Sequence, residues 1–379
     1  MYGADFLIIG GGVAGLSAGA SLSRHGKVVV LEAEDALGYH SSGRSATFSH
    51  YGIGDAAVRA LTRWSRAFFE QPPDGFSDVP LARRASALFF ATEEMLEALA
   101  SLEQQMGRFT DGLARVGENE MTRLFPPLRT GPGAALAGCL DPDGLRLDSD
   151  ALLQAYARAI RGAGGEVRTG TPIAALAGSG SGWSVEAAAG DRWTAPVLVN
   201  AAGAWADGIA RLAGARPLGL RALRRTIIVV DPQSGDDVRA WPFVKSAVDD
   251  FYVLPESGRL MASPVDETEC EACDAQPDDY DVALAAWKLE RYTTLSVARI
   301  AHRWAGLRTF TADRVPVAGF ATDAPGFFWL AGQGGYGLQT APAMAAIVEA
   351  MVTAGDWPAG LAELGADSSA IGLGRLDGG

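Results

Sequence analysis

Cysteine and histidine are scarce in this sequence, which has three cysteines and four histidines among 379 residues. Three cysteines are too few for a disulfide framework, so the fold is expected to depend on a buried core. Cys270 and Cys273 form a single Cys-x-x-Cys pair in an acidic segment, but neither Cys139 nor a nearby histidine completes a tetrahedral zinc site. The sequence therefore predicts no metal site.

Positive charge is also in short supply, since 32 lysines and arginines face 45 aspartates and glutamates and leave a net charge of −13. An acidic protein repels nucleic acid and anionic membrane surfaces, so we expect neither as a partner. No apolar run reaches the ~18–20 residues of a transmembrane helix, and no basic segment precedes the first apolar run, as a signal peptide would require. These absences predict a cytoplasmic protein without a transmembrane segment.

Apolar residues are plentiful, at 48% of the chain, and the length favours two domains. Residues 5–32 contain a buried strand, a glycine-rich turn, a helix of small residues and a second buried strand, which is the pattern of a βαβ unit. Similar strands are predicted at 196–200 and 327–331, and strands of an antiparallel sheet at 226–230 and 251–254. The chain is therefore predicted to be an α/β protein with inserted strand-rich segments.

The turn in the first βαβ unit reads Gly10-x-Gly12-x-x-Gly15, the dinucleotide-binding fingerprint. Gly10 permits the tight turn, Gly12 lets the backbone approach a pyrophosphate, and Gly15 lets the helix pack on the sheet. The helix N-terminus at Val13 and Ala14 would face the pyrophosphate, because its unpaired N–H groups and dipole favour an anion. The alternative is a glycine-rich turn in another α/β protein.

Two features after the fingerprint help to choose the cofactor. Glu32 ends the second strand, where a carboxylate accepts hydrogen bonds from the adenosine ribose and disfavours the 2′-phosphate of NADP. The segment 38–45 then offers hydroxyls, backbone N–H groups and one guanidinium, with Ser42, Arg44 and Ser45 as candidate contacts. A second anion-binding segment is more than NAD usually needs, so FAD is favoured.

Motifs spread along the chain resemble the D-amino-acid-oxidase-type family of FAD enzymes, which includes glycine oxidase, sarcosine oxidase and D-amino-acid dehydrogenases. They are the N-terminal fingerprint, Ser41–Ser45, Asn200–Trp205, Trp304–Arg308 and Gly332–Leu338. Within the family, the segments 38–46 and 333–340 are most similar to D-arginine and other D-amino-acid dehydrogenases. The resemblance implies that the protein binds FAD.

The resemblance and the interleaved order of elements imply two domains, a Rossmann-like FAD-binding domain and an α+β substrate domain with an antiparallel sheet. The segments of the first are 1–75, 141–215 and 306–365, and those of the second are 76–140 and 216–305. The Ser/Gly-rich segment 366–379 is predicted to be a flexible tail. FAD is expected to be non-covalent, because no cysteine lies near residues 309–319.

The resemblance also implies cofactor contacts beyond the first unit: Val167 would contact adenine through its backbone, and Ala201, Gly203 and Trp205 would lie near the cofactor. Residues 332–337 repeat the fingerprint literally, but the chain ends too soon afterwards for a second βαβ unit. The N-terminus of the following helix is instead expected to point at the flavin N1–C2=O edge, where negative charge accumulates on reduction. A tight turn alone is the alternative. The expected contacts are Gly334, Gly335, Gly337, Leu338, Gln339 and Thr340.

An amino-acid substrate needs its carboxylate held by cations while its Cα–H faces flavin N5. Arg308 is the leading candidate, because a guanidinium fork binds a carboxylate bidentately. The resemblance implies Arg225 as a second contact, with Arg224 pointing elsewhere, while Tyr252 would donate its hydroxyl and Tyr336 would flank the ligand. The alternatives are a strand arginine in a structural ion pair and a core tyrosine with a satisfied hydroxyl.

Departures from the dehydrogenase pattern bear on the substrate. The dehydrogenases carry an acid in the strand around Ala87 that meets a guanidinium, and this chain has none there. Phe48 and Ile53 replace a histidine and a tyrosine, although His50 and Tyr51 lie nearby. A buried guanidinium without a carboxylate is strongly disfavoured. We therefore predict an apolar pocket and a neutral or hydrophobic D-amino acid.

The expected reaction is oxidation of the Cα–N bond to an imine, which water hydrolyses to a 2-oxo acid. Sarcosine-oxidase-like members have a lysine near the flavin that helps oxygen react, and Met261 is predicted to occupy that place. This favours a dehydrogenase with an unknown electron acceptor. The alternatives are a glycine/sarcosine-type amine oxidase that produces peroxide and a non-catalytic FAD-bound scaffold protein.

Overall fold

The computed structural model describes residues 2–180, 182–232 and 237–376. Its helices are α1 (Val13–Leu22), α2 (Ala56–Glu70), α3 (Leu96–Met106), α4 (Glu118–Leu124), α5 (Ser149–Gly162), α6 (Ala206–Ala213), α7 (Asp279–Tyr292), α8 (Gly337–Thr353) and α9 (Ser368–Ile371). Its strands are β1 (Tyr2–Gly3), β2 (Phe6–Ile9), β3 (Val28–Leu31), β4 (Phe48–Ser49), β5 (Ala82–Arg84), β6 (Ala87–Ala91), β7 (Ala114–Val116), β8 (Ala137–Asp141), β9 (Leu145–Leu147), β10 (Glu166–Arg168), β11 (Ile173–Ser179), β12 (Gly182–Ala187), β13 (Arg192–Ala195), β14 (Val197–Asn200), β15 (Arg221–Val230), β16 (Phe243–Ser246), β17 (Tyr252–Glu256), β18 (Arg259–Ser263), β19 (Thr268–Glu269), β20 (Ile300–Phe310), β21 (Val317–Phe320) and β22 (Phe327–Ala331).

The nucleotide-type sheet has six strands in the order β10-β3-β2-β14-β22-β21, and only β21 runs antiparallel to its neighbour. β2, β3 and β22 are fully buried apolar runs, as strands covered on both faces must be. Helices α1, α5 and α8 cover one face. A smaller sheet of β1, β11, β12 and β13 covers the other, with Trp183, Trp193 and Trp329 in the core between them. The predicted α/β class and the first βαβ unit are confirmed.

This sheet brings four predicted motifs to one edge. The carboxyl ends of β2, β3, β14 and β22 meet there because these strands run parallel. Gly10 follows β2, Glu32 follows β3, Ala201 follows β14 and Gly332 follows β22. Ligands of open α/β sheets bind outside the carboxyl ends of the strands.

A second, nine-stranded sheet lies across this edge, with the path β19-β15-β18-β17-β16-β6-β8-β7 and β20 beside β15. It is antiparallel apart from the β16–β6 pair. Side chains alternate between its faces. Val244 and Val253 pack against α4 and α7 on the far face, while Phe243 and Tyr252 on the near face join the core cluster that contains Ile8. The near face therefore looks towards the nucleotide-type sheet.

The membership of the two sheets follows the predicted division of the chain into two domains, which remains our interpretation. Strands of the nucleotide-type sheet come from the segments assigned to FAD binding, and most strands of the nine-stranded sheet come from 76–140 and 216–305. β20 runs through the boundary drawn at residue 306. It is paired along its length with β15, so the two domains share one continuous strand at this place.

The segment from residue 366 is not the flexible tail that was predicted, as far as Leu376. Asp367 caps α9, and Ile371 is fully buried. Arg375 pairs with Asp313 at 2.7 Å and donates to the carbonyl of Val315 at 2.6 Å. Composition suggested disorder, but the contacts that order this segment come from residues far along the chain. Residues 377–379 lie outside the described ranges.

Within those ranges, no helix is both long and apolar enough to cross a membrane. The same residues contain no cluster of three or more histidine, cysteine or acidic side chains that could hold a metal ion. Cys139, Cys270 and Cys273 are free thiols.

Candidate active site

A cavity of about 580 Å³ lies between the two sheets, where the parallel strands end. Most of the predicted site residues line it. From the nucleotide-type sheet and its loops these are Gly10, Gly12, Val13, Ala14, Glu32, Ser42, Arg44, Ser45, Ala201, Gly203 and Trp205. From the C-terminal turn they are Gly334, Gly335, Gly337, Leu338 and Gln339, and from the nine-stranded sheet Arg225, Tyr252 and Arg308. The predicted residues outside the lining are Gly15, Val167, Thr340 and Tyr336.

The first glycine turn has a backbone that requires glycine. Gly10 has a φ of +112°, and a Cβ on it would lie 2.4 Å from the carbonyl oxygen of Ala201. A Cβ on Gly15 would lie 2.0 Å from the carbonyl oxygen of Gly10, so Gly15 serves packing rather than ligand contact. The N–H of Val13, in the first turn of α1, donates to Ser42 Oγ at 3.0 Å. The helix N-terminus forms the cavity wall, an arrangement suited to a pyrophosphate.

Glu32 is held at the adenosine end of the cavity. Its Oε2 accepts a hydrogen bond from the N–H of Gly11 at 2.6 Å, and its Oε1 accepts one from the N–H of Glu34 at 2.9 Å. Each carboxylate oxygen has a further lone pair for a ribose hydroxyl. The geometry therefore supports the predicted contact with the adenosine ribose.

The Arg44 guanidinium does not serve as the free anion-binding cation that was predicted. Its Nε donates to the carbonyl of Tyr39, and its Nη1 donates to the carbonyls of Ala275 and Ala305, each at 3.1 Å. Its Nη2 pairs with Asp274 at 2.5 Å. Arg44 thus ties its turn to the substrate side of the molecule. These partners lie far away in the sequence, so its composition alone could not indicate them.

The second glycine turn joins β22 to α8. Gly332 and Gly334 have positive φ angles. A Cβ on Gly335 would lie 2.2 Å from Arg308 Cζ, so the guanidinium lies directly over this glycine. Gly337 begins α8, whose first N–H groups have no partners within the helix. A helix N-terminus at the cavity wall supports the predicted contact with the flavin N1–C2=O edge, rather than a tight turn alone.

Arg225 and Arg308 lie on one face of neighbouring strands. β15 and β20 pair so that Arg225 faces Gly306, two residues before Arg308. Residues two apart in a strand share a face, and Gly306 has no side chain to separate the two guanidinium groups. Arg224 is on the opposite face, where it pairs with Asp281 at 2.9 Å. This alternation is why one of two adjacent arginines reaches the cavity.

The two cavity arginines lack a full set of partners. Arg308 makes no hydrogen bond or ion pair within the described parts of the chain. Arg225 donates to the carbonyl of Asp266 at 2.9 Å and pairs with Glu267 at 3.2 Å, but its Nη1 is buried without a partner. Burial, and then the charge of Arg308, lower the pKa of Arg225 to about 10. A carboxylate between the two groups would satisfy the unpaired donor and offset their repulsion.

The cavity also contains Lys245 and Asp249, which sequence reasoning missed, and His50, which it noted only as a neighbour. Lys245 is 3% exposed, and its Nζ donates to the carbonyl of Gly52 at 2.7 Å and pairs with Asp249 at 2.9 Å. The pocket is therefore not apolar throughout, as had been predicted. A lysine inside the otherwise apolar β16 was the available signal, because lysine is almost never fully buried without a partner.

Met261 and Ala87, on which two sequence predictions rest, are both outside the cavity lining. Met261 is 3% exposed on β18, and Ala87 is fully buried on β6. Because Lys245 lines the cavity, the absence of a lysine at Met261 no longer favours a dehydrogenase. The missing acid at Ala87 still removes one partner for a cationic substrate.

Tyr336 packs behind the second glycine turn instead of flanking the cavity. Its hydroxyl donates to the carbonyl of Arg314, and its ring contacts Phe310. We expect Tyr336→Phe to leave the apparent substrate affinity unchanged and to lower the free energy of unfolding by about 1 kcal/mol, the net worth of one hydrogen bond. Substrate titration and urea unfolding measure the two effects. Tyr252→Phe is the matched control, which should weaken substrate binding; an equal loss of affinity in both variants would place Tyr336 at the ligand.

The fold and the cavity define an FAD-dependent oxidoreductase: two helix N-termini face a dinucleotide-sized cavity, and a second sheet presents arginines across it. The chain belongs to the DAO family, described as FAD dependent oxidoreductase, whose profile matches residues 5–351. The predicted family and cofactor are confirmed. Non-covalent binding remains a prediction, supported by the absence of cysteine from the cavity lining in the described ranges.

Particular relatives extend over nearly the whole chain. It is 24% identical over 347 residues to one of the polypeptides of opine oxidase from Rhizobium meliloti, in a match that covers 87% of this chain and 89% of that protein. Glycine oxidase from Geobacillus kaustophilus has a TM-score of 0.82 at 21% identity, covering 97% of this chain and 99% of that one. Dithionite-reduced L-α-glycerophosphate oxidase from Mycoplasma pneumoniae, with FAD bound, has a TM-score of 0.82 at 20% identity, covering 93% and 95%. Chains of this fold thus oxidise different substrates.

Proposed function

We propose that this protein uses FAD to oxidise the Cα–N bond of an amino acid whose carboxylate binds between Arg308 and Arg225. The observation that carries the proposal is the pair of incompletely satisfied guanidinium groups on one sheet face. A charge-assisted, bidentate contact with a carboxylate is the interaction such groups form best. Tyr252 lines the same space and has no hydroxyl partner among the described residues, so it is available as a further donor.

The bond changes follow from this position. FAD, when bound, supplies a two-electron acceptor. The substrate ammonium first loses a proton; the Cα–H bond then breaks with its electron pair transferred as hydride, and the nitrogen lone pair forms the C=N bond. Water adds to this carbon and the C–N bond breaks, which yields a 2-oxo acid and an amine or ammonia. Arg308 and Arg225 orient the reacting carbon by holding its carboxylate.

The side chain of the substrate is less constrained by the site. Phe48, Ile53 and Phe243 line the cavity and support the proposal of a neutral or hydrophobic D-amino acid. Asp249 is already paired with Lys245, so it does not favour a cationic side chain. The D configuration rests on the family resemblance. Lys245 itself has no role in binding a purely apolar side chain.

Anaerobic reduction of the bound flavin tests the proposal. We expect at least one compound among both enantiomers of leucine, phenylalanine, methionine and glutamate, together with glycine, sarcosine and iminodiacetate, to bleach the oxidised flavin band. The physical reason is that each offers a carboxylate to the two arginines and a Cα–H to the flavin. Dithionite is the control that shows the flavin to be reducible. Failure of this panel and of a wider set of amines would contradict the proposal and favour the non-catalytic scaffold.

Oxygen reactivity separates the two enzymatic alternatives. An amine oxidase consumes oxygen and forms peroxide on each turnover, whereas a dehydrogenase needs an artificial acceptor dye. Lys245 in the cavity is the observation that keeps the oxidase as a second candidate. Oxygen uptake on mixing with the first compound that bleaches the flavin decides between them.

A further inference from the structure

The substrate end of the cavity carries more positive charge than one carboxylate needs. Its lining there includes three cations, Arg225, Lys245 and Arg308, against one carboxylate, Asp249. The Asp249 side chain is 49% exposed, so solvent screens its attraction for the buried ammonium. Charges are costly to bury without compensation. A ligand with a single carboxylate would leave this end of the cavity net positive.

Lys245 stands apart from the two arginines. It lies on β16, which the sheet order β15-β18-β17-β16 separates from the strand of Arg225 by three inter-strand steps, or about 14 Å at ~4.8 Å per step. Lys245 faces Tyr252 on the adjacent β17, so both point from the near face of the sheet. One carboxylate clamped by Arg225 and Arg308 therefore leaves Lys245 to meet another group.

Lys245 also has donor capacity left. Its ammonium is bonded to the carbonyl of Gly52 and to Asp249, which leaves a further N–H for a ligand. Lys245 is only 3% exposed, yet it lines the cavity. A buried cation of this kind, open only to the cavity, is a built anion site.

His50 adds a second donor beside Lys245. Its Nδ1 accepts a hydrogen bond from the N–H of Gly52 at 3.0 Å, so the proton of the ring is on Nε2. Burial, and then the charge of Lys245, keep the pKa of His50 well below its ordinary value, so the ring is neutral. The ring stacks on Phe243 at 5.0 Å and lines the cavity. A neutral Nε2–H donates to an acceptor and cannot take a proton from the substrate amine.

Apolar side chains separate the two polar ends. Phe48 and Phe243 stack at 4.7 Å, and both line the cavity with Ile53 and Ile227. The substrate end thus has one anion-binding pair at Arg225 and Arg308, an apolar wall, and a second donor pair. The matching ligand has an anionic group at each end and a short apolar or amine-containing middle.

We propose that the substrate is an amine with two carboxylates, one held by Arg308 and Arg225 and the other by Lys245 and His50. The inference rests on the proposed function and narrows its substrate class. The second carboxylate has two possible chemical sources, a side chain as in glutamate or an N-substituent as in iminodiacetate. Both bring the same group to Lys245, and neither changes the bonds that break.

Matched substrates test this directly in the holoenzyme. Iminodiacetate is sarcosine with a carboxylate added to the N-methyl group, and glutamate is compared with norvaline, each in both enantiomers. In anaerobic stopped-flow reduction, we expect the dicarboxylate of at least one pair to react with an apparent second-order rate constant about 100-fold above that of its partner, because it engages a buried cation. The pair that shows the preference identifies the source of the second carboxylate.

Variants of Lys245 locate the preference. Lys245→Met should remove it by slowing the dicarboxylate about 100-fold with little change for the neutral partner. Lys245→Arg, which keeps the charge, should retain most of it. Equal slowing of both partners would contradict the proposal, because it would mean that Lys245 serves the cofactor or the fold. A wild-type enzyme reduced equally well by both partners would also overturn it, whereas no reduction by any amine overturns the proposed function instead.

Ligand binding without turnover provides a measurement that does not depend on folded variants. Succinate and glutarate should perturb the flavin absorption of the wild-type enzyme at concentrations about 10-fold lower than propionate and butyrate. Similar dissociation constants for the two groups would contradict a second carboxylate site.

Discussion

Arg308→Met is expected to abolish reduction of the flavin by substrate while FAD remains bound. Arg308 has no partner within the described residues and lies over Gly335, so its charge is available to the ligand. Methionine fills similar space but cannot bind a carboxylate. The loss is expected to be about 2–5 kcal/mol, or roughly 30- to 5,000-fold in kcat/KM. Anaerobic reduction rates and the flavin absorbance of the purified variant measure the two effects.

Two further variants serve as controls for this result. Arg303→Met lies on the same strand, but Arg303 is exposed and pairs with the exposed Asp279, so its loss should change little. Arg308→Lys keeps the charge but not the fork, and it should recover only part of the activity. An unchanged apparent affinity in Arg308→Met would remove Arg308 from the substrate site.

Gly12→Ala is expected to yield a folded protein that has lost most of its affinity for FAD. A Cβ on Gly12 would lie 3.3 Å from Ser42 Oγ, a contact that a small shift relieves, and Gly12 does not have a positive φ. The methyl group would instead enter the cavity, where the pyrophosphate approaches the backbone. Crowding of this kind costs about 1–3 kcal/mol, or roughly 10- to 100-fold in the dissociation constant of FAD. Titration of the apoprotein with FAD measures it.

The control for this substitution is another glycine of a helix. Gly162→Ala, at the end of α5, adds a Cβ that meets no atom within 4 Å, so FAD affinity and stability should stay as they are. Gly15→Ala is a contrasting case, because its Cβ would collide with the backbone of Gly10 and damage the fold itself. Full FAD affinity in Gly12→Ala would mean that the pyrophosphate does not approach this residue.

The cofactor half of the site was predictable because its contacts depend on local sequence. Gly10, Gly12 and Glu32 belong to one βαβ unit, so their spacing alone indicates where a dinucleotide binds. Arg308 and Arg225 were predicted through a family resemblance, and the register of β15 with β20 gives the physical reason for their shared face.

The substrate half was less predictable because its contacts are between distant segments. Lys245 reaches the cavity only through the pairing of β16 with β17 and β6, which the sequence does not specify. Arg44 looked like a free cation until its partners at Asp274 and Ala305 were located. Tyr336 follows the glycine turn in sequence, but the turn directs its ring away from the cavity.

The two sides of the cavity differ in which part of the chain makes the contact. The cofactor side relies largely on backbone groups of glycine turns and helix ends, whereas the substrate side relies on side chains of Arg225, Lys245 and Tyr252, set on separate strands. Point substitutions on those strands can alter what is oxidised without disturbing the redox half. A gene for such a protein can therefore evolve towards a new nutrient by single codon changes, while the inherited redox chemistry stays intact.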